Sequence, residues 1–561
     1  MTDGVGRRTR HMAAAAAVLG LAAALFFARL GDRSLWSEEV RWAEIPREMQ
    51  RSGDYFWPTF NGRVYYDKPL GSYWLVLAAA HLTGVIDELA ARLPSAGSAL
   101  AAVVFLILLA RRLYGRRTAA VAGAVLATSF GFTVFARTAS ADAETVAGVL
   151  AALWLYVRNE RRAGGGWVVG FWLVMALTSL TKGLLGFALP LLVAGADATW
   201  AGLADAGSHD GRLRRVIAAN GWLLNRATLL AAPLAAAVYL APFLLSAGGL
   251  TAGLGMVYRE NVRRFFDPAN HRGPVYLYTY IILALLAPWS LFLPAALARA
   301  HVTRPASNRL RRGDRFARAF FWAVFLFFTA SASRRSYYLL PVLPAAALLV
   351  AAVLTRRADR LPEAARRLRT AGVGLIALAV LAAPVALVPP DLRPAPLGRL
   401  PELPAPAAFV AAWAVAVGAL AIAAVRPRRL AAALVAAAFA GQAYLFVFAL
   451  PATEPYRTQR AFVAAVRNRF GDELSAGLAL YRTDEIVYYL DPPGPLPEFD
   501  TPDELRRAAN DGGIRWLILR RRDRAALGDG WADVVAEPVG PWDTDDRAGT
   551  KLLLVRATGR E

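Results

Sequence analysis

The sequence predicts an all-α polytopic membrane protein followed by a small α/β domain, and three observations carry that expectation. Of 561 residues, 57% are hydrophobic and the mean hydropathy is +0.37. Long apolar runs such as "AAAAAVLGLAAALFFARL" recur, each near the roughly 20 residues that a spanning helix needs. After residue 451 the apolar density drops and short alternating segments replace the long runs.

Arginine bursts punctuate the apolar runs: "RRLYGRR", "RNERR", "RLRRGDRFAR", "ARRLR" and "RPRR". Cytoplasmic loops are marked in this way. A net charge of +22 would raise the question of nucleic acid in a soluble chain. Here the charge serves topology, so no nucleic-acid partner is expected. There is no cysteine, which excludes disulfides and thiolate metal sites. The basic flank Arg7, Arg8 and Arg10 leads into an uncleaved first helix.

With the bursts placed inside, about thirteen spans follow, at roughly 12–30, 93–110, 118–136, 142–157, 166–181, 184–199, 228–247, 275–298, 318–331, 336–355, 370–389, 406–425 and 430–450. The chain starts inside and ends outside. The stretch 69–84 is apolar, but counting it as a span would move "RRLYGRR" outside. It is therefore read as an interfacial or re-entrant helix, in an external loop over 31–92. The expected division is 1–450 for the membrane domain and 451–561 for an external α/β domain. Its helices are expected at "YRTQRAFVAAVRNRF" and "TPDELRRAAN", and its strands at "LSAGLALYR", "IRWLILR" and "KLLLVRA". Arg520, Arg521, Arg522 and Arg524 read as a solvated surface.

Chemistry-bearing residues gather in the external connections. Glu38, Glu39, Arg41 and Glu44 begin the first loop, and Glu38, Arg41 and Glu44 can share one helical face. The same spacing fits a solvated juxtamembrane helix. Asp142 opens a span, where an ionisable group is costly and usually functional, although Ser140 and Asp142 also suit a helix N-terminus. Lys68, Lys182, Arg263, Arg264, Arg334 and Arg335 are cations placed externally, against the positive-inside trend. Lys68 and Lys182 are two of only three lysines. A lipid-linked phosphate would explain them, as would plain contact with anionic headgroups. Carboxylates beside phosphate-binding cations suggest transfer of a group carried on a lipid phosphate.

In order along the chain, "WSEEVRWAEIPREM", "SGD", "NG", "YYDKPLGSYW", "ARLPSA", "ADA", "TKG", "ENVRRF", "HRGP" and "YLLP" resemble the GT-C glycosyltransferases. The nearest branch is the ArnT-like aminoarabinose lipid A transferases, related to the protein O-mannosyltransferases. The resemblance runs over about residues 30–345. It implies a bundle of about thirteen spans with periplasmic interfacial helices, a periplasmic C-terminal domain, a polyprenyl-phosphate sugar donor and transfer with inversion. It also implies a bacterial inner-membrane location, with the active site facing outward and a lipid, protein or glycan acceptor.

By position in the motifs, Glu38 and Asp142 are the implied catalytic carboxylates, with Glu39 and Arg41 beside them. Tyr65, Lys68, Arg264 and Tyr338, with Lys182, are the implied donor-phosphate ligands. Two positions depart from the pattern. Glu38-Glu39 stands where Asp-Glu is common, so either the backbone compensates for the extra methylene or Asp142 or Glu39 is the base. Arg259-Glu260-Asn261 replaces a His-Glu-His type segment, so no required divalent metal is expected; His271 could substitute as a ligand. A transporter or flippase of a lipid-linked glycan is the alternative function, weakened by the lack of a visible internal repeat.

Overall fold

In a computed structural model, residues 2–558 are described except 160–165, 205–210, 268–271, 303–306, 390–391, 393–401, 458, 476, 511–512, 528–529 and 540–547. The chain forms two compact units. One comprises Met1–Leu30, Asp67–Leu75 and Arg92–Ala449; the other comprises Gly31–Tyr66, Val76–Ala91 and Leu450–Glu561.

The first unit is helical, and each of the thirteen expected segments falls on helix. Among the described residues seven helices are long and apolar enough to cross a bilayer: Glu88–Leu113, Leu185–Leu203, Arg226–Leu245, Ser336–Leu354, Glu363–Leu387, Pro406–Val425 and Pro427–Phe470. Two bent pairs, Arg116–Ala127 with Phe130–Ala136 and Leu277–Leu285 with Trp289–Val302, raise that number to nine. Met12–Phe27 and Gly166–Lys182 are shorter apolar helices. Two expected spans qualify less clearly because their ends are charged. Asp142–Asn159 carries Asp142, Glu144 and Arg158, and Asn308–Ala330 opens with arginines.

The core of this unit is the stretch Leu343–Leu354, in which all twelve residues are buried. A helix that is apolar all round must be surrounded. Five alanines in it let neighbouring helices approach closely. By contrast, only 6% of the Glu363–Leu387 window is buried, so its leucines face outward, as bilayer contact requires. The 69–84 stretch forms the 13-residue helix Gly71–Thr83. At 1.5 Å per residue it is about 20 Å long, short of the ~30 Å hydrocarbon core.

The second unit begins with helix Glu39–Ser52, which ends at Gly53 in the left-handed region (φ 74°), its N–H bonded to Met49 O at 2.9 Å. A hairpin follows. Strands β1 (Thr59–Phe60) and β2 (Arg63–Val64) are joined by Asn61-Gly62, both at positive φ, the pairing that a two-residue turn of the type I′ class demands.

The later strands are β3 (Leu478–Tyr481), β4 (Glu498–Phe499), β5 (Trp516–Arg520), β6 (Trp531–Ala536) and β7 (Leu552–Ala557). They form one sheet in the order β4-β3-β5-β7-β6, parallel across β4-β3-β5 and antiparallel across β5-β7-β6. Leu480, Ile518 and Leu554 pack on one face with Phe462 and Val466 of helix Gln459–Phe470. Ala479, Leu517, Leu519 and Val555 pack on the other with Leu505 of helix Pro502–Asn510. Both faces are covered, which is why these strands read as continuous apolar runs. The three expected strands and two expected helices are present; β4 and β6, short or half polar, were not expected.

The compact units differ from the linear division at 450/451, because segment 31–66 packs with the tail. Asn61 exchanges two hydrogen bonds with Leu496, and Arg47 donates to Tyr488 O and pairs with Asp491, both at 2.9 Å. The arginines after β5 are also not a free solvated face. Arg520 pairs with Glu485 at 2.6 Å, Arg521 donates to Glu537 O, and Arg524 pairs with Asp533; only Arg522 is exposed.

Candidate active site

Within the membrane unit, Asp142 is the first residue of Asp142–Asn159 and Lys182 the last of Gly166–Lys182. A carboxylate suits a helix N-terminus and an ammonium a C-terminus. These two ends meet: Lys182 Nζ binds Asp142 Oδ1, with Asp142 only 6% exposed. Gly183, at φ 76°, ends the lysine's helix by donating to Ser179 O at 2.8 Å. Lys182 Nζ also lies 5.4 and 5.6 Å from the ring centroids of Tyr337 and Tyr338. Ammonium over an aromatic face is attractive, so both rings help to hold it.

A second charged group lies in the same unit. Lys68 Nζ is 3.1 Å from Glu260 Oε2, and Arg264 Nη1 is 2.6 Å from the same oxygen. Glu260 and Arg264 share a face at the helical spacing of four, in and after a π-helical turn, Tyr258–Arg263. Burial by itself would raise the Glu260 carboxyl. Lys68 and Arg264 together outweigh it and hold the group below its ordinary value. Arg264 also interacts electrostatically with Tyr338, so that tyrosine has cations from both clusters around it. Asn261, where the motif has histidine, is used structurally: its Oδ1 accepts from Leu184 N at 2.9 Å.

A third carboxylate escaped the sequence reading. Glu144, buried in the first turn of Asp142's helix, accepts a hydrogen bond from Ser72 Oγ and interacts electrostatically with Asp142 and Lys182. A second acidic residue opening an apolar helix was the signal that could have found it.

Five of the expected residues, Glu38, Glu39, Arg41, Glu44 and Tyr65, belong to the second unit. Glu38 is exposed at the N-terminal end of helix Glu39–Ser52. Glu39 is buried, accepting from Trp36 N at 3.2 Å and pairing with Arg457 at 3.8 Å, which commits it to the fold. Arg41 donates to Tyr65 Oη at 2.9 Å, stands 5.1 Å from that ring's centroid and pairs with Asp484 at 3.7 Å. Glu44 turns instead to Arg47, so Glu38, Arg41 and Glu44 do not act as one face. Arg41 is held by groups the sequence could not associate with it.

Of the remaining cations, Arg263 is exposed, while Arg334 donates to Gly273 O and Thr329 O and ties loops together. Arg335 reaches the hydroxyl of Tyr337. His271 lies outside the described residues. Among the described residues no group of three or more His, Asp or Glu side chains is arranged to hold a metal ion.

The helices long and apolar enough to cross a bilayer define a multi-pass membrane protein. Residues 67–201 match the family described as dolichyl-phosphate-mannose-protein mannosyltransferase. The chain is 31% identical over 350 residues to the undecaprenyl phosphate-α-4-amino-4-deoxy-L-arabinose arabinosyl transferase 1 of Pseudomonas fluorescens, covering 60% of this chain and 58% of that one. It is 29% identical over 527 residues to the transferase of the same description from Pseudomonas aeruginosa, covering 88% of each. The fold is similar to the crystal structure of ArnT from Cupriavidus metallidurans bound to undecaprenyl phosphate, with a TM-score of 0.66 and 23% identity over 96% of this chain and 97% of that one. The chain is thus similar in sequence to these arabinosyl transferases and in fold to ArnT.

Proposed function

We propose that this chain moves a sugar from an undecaprenyl-type phosphate donor to a lipid, protein or glycan acceptor. The observation that carries the proposal is the convergence of Lys68 and Arg264 on a single carboxylate oxygen of Glu260. Two cations that share one anionic oxygen in the free protein offer a phosphate the same geometry, with guanidinium and ammonium as complementary donors. The names of the Pseudomonas relatives supply the carrier, undecaprenyl phosphate, and point to an aminoarabinose unit as the sugar.

In the reaction, an acceptor oxygen forms a bond to the anomeric carbon as the bond from that carbon to the donor phosphate breaks. Where the attacking oxygen carries a proton, Asp142 is the proposed base that takes it, positioned by Lys182. Lys68 and Arg264, with Tyr338, receive the charge that builds on the departing lipid phosphate. Glu38 is the second proposed carboxylate, and Arg41 and Tyr65 keep the roles that their motif positions imply. Glu39 is left out, being engaged by Arg457 and Trp36. The side-chain cations make a divalent metal unnecessary, so dialysis against a chelator should leave transfer intact.

The topology proposed is the thirteen-span one, with the arginine bursts cytoplasmic and the segments 31–92 and 451–561 outside, in the inner membrane of a bacterium. The test is transfer from radiolabelled undecaprenyl-phosphate sugars in native-lipid membranes, with products identified by mass. Asp142→Asn and Glu38→Gln are compared with wild type. Full activity of Asp142→Asn would remove it from the role of base. No transfer by wild type from any plausible donor would overturn the function.

A further inference from the structure

A second cationic site lies in the membrane unit, away from the clusters described above. Asp142 opens the helix Asp142–Asn159 and Arg158 stands near its close. Those 18 residues are about 27 Å long at 1.5 Å per residue, so Arg158 is at the other end of the bundle from Asp142. There a cavity of about 730 Å³ is lined by Arg111, Arg112, Arg158, Arg309, Arg312 and Trp154, and among the described residues no Asp or Glu lines it.

Bare arginine loops at a membrane edge are ordinary topology markers. These arginines differ because helix ends hold them in place. Arg112 donates to Arg158 O at 3.1 Å, Arg309 donates to Arg112 O at 3.0 Å and to Arg111 O, and Arg312 donates to Val157 O at 2.8 Å. The acceptors are carbonyls in the last turns of Glu88–Leu113 and Asp142–Asn159, which carry partial negative charge and lack helical partners. Each guanidinium has five N–H donors, and these contacts use one on Arg112 and two on Arg309. On those two arginines the rest are left for whatever fills the cavity. Arg158 lies 5.1 Å from the ring centroid of Trp154, and tryptophan favours the headgroup level of a bilayer.

We propose that this cavity binds the phosphate of an anionic membrane lipid, with two-phosphate headgroups preferred because the arginines come from three separate helices. Guanidinium groups bind phosphate oxygens bidentately, and basic pockets between spanning helices suit such headgroups. The acyl chains would lie along the apolar outer surface of the bundle.

The experiment uses the full chain, purified in detergent and offered equimolar cardiolipin, phosphatidylglycerol and phosphatidylcholine, with retained lipid read by native mass spectrometry. Wild type should retain cardiolipin over phosphatidylcholine. Arg111→Gln combined with Arg158→Gln removes two charges but keeps the carbonyls that hold Arg309 and Arg112. Each cation near a membrane surface is worth roughly fivefold, so cardiolipin retention should fall about thirtyfold. Arg111→Lys with Arg158→Lys, which keeps charge but loses the bidentate geometry, should fall between. It serves as the test variant if the glutamine pair does not fold. Equal retention of cardiolipin and phosphatidylcholine by wild type, or unchanged retention in the folded variants, would overturn the proposal. Displacement of the lipid by inorganic phosphate at equal phosphate concentration would assign the cavity to a soluble anion and overturn it too.

Discussion

Lys68 and Glu260, 192 residues apart in the chain, form an ion pair at 3.1 Å, and Arg264 binds the same carboxylate oxygen. If that oxygen stands where a donor phosphate belongs, the carboxylate competes with the donor. Glu260→Gln should therefore bind undecaprenyl phosphate more tightly, by about threefold to tenfold, while Lys68→Ala and Arg264→Ala weaken it. Dissociation constants by tryptophan quenching would decide, and weaker binding by Glu260→Gln would show that the carboxylate organises the cations instead.

Asp142 and Lys182 allow a thermodynamic cycle. Removing Lys182 alone (Lys182→Met) leaves a buried carboxylate without its cation, which typically costs about 3–5 kcal/mol. Asp142→Asn with Lys182→Met should restore most of that stability in detergent melts while transfer stays down by about a hundredfold or more. Recovery of transfer in the double variant would count against Asp142 as the base.

Glu44 should make stability fall as pH rises. Burial pushes its carboxyl up from 4.5 to about 7, against the pull of Arg47. Between those pH values the folded protein keeps a proton that the unfolded chain has released, so stability drops across that window and is level above it. The full difference is about 3 kcal/mol. The gap between wild type and Glu44→Gln, followed by melts from pH 4.5 to 8, should shift in the variant's favour as pH rises. A gap that does not change with pH would mean that Arg47 keeps the carboxylate ionised throughout.

Gly71 begins its helix against the end of Gly166–Lys182, where a Cβ would sit 2.6 Å from the Leu180 carbonyl oxygen. Backbone cannot step aside cheaply, so Gly71→Ala should lower stability by about 1–3 kcal/mol. Gly97, inside helix Glu88–Leu113 with nothing within 4 Å of a Cβ, is the matched control. Gly97→Ala should leave the melt unchanged or raise it slightly; equal losses at both positions would sink the packing explanation.

Much of the membrane unit was legible because a bilayer imposes a simple rule: a span needs about 20 apolar residues, and arginine bursts mark the connections. The helices Arg226–Leu245 and Pro406–Val425 follow from that rule directly. Asp142 and Lys182 were visible as costly charges at helix ends, and Lys68 as a rare lysine in a strong motif. The pairing of Asp142 with Lys182 was not visible, nor was Glu144, because contacts across 40 or 72 residues leave no mark in local pattern. Glu39 shows the converse: its place beside Glu38 suggested chemistry, and only the fold revealed that Arg457 and Trp36 already hold it.

Thus hydropathy and charge order by themselves determined that this chain crosses a membrane repeatedly, and motif order pointed to the glycosyltransferases it resembles. Tertiary structure alone decided which charges meet. It put Lys68 and Arg264 on one oxygen, turned Glu44 to Arg47, and joined segment 31–66 to the tail in one compact unit. The physical reason is one of range. Partition into a bilayer depends on each segment's own composition, whereas an ion pair depends on where distant segments pack.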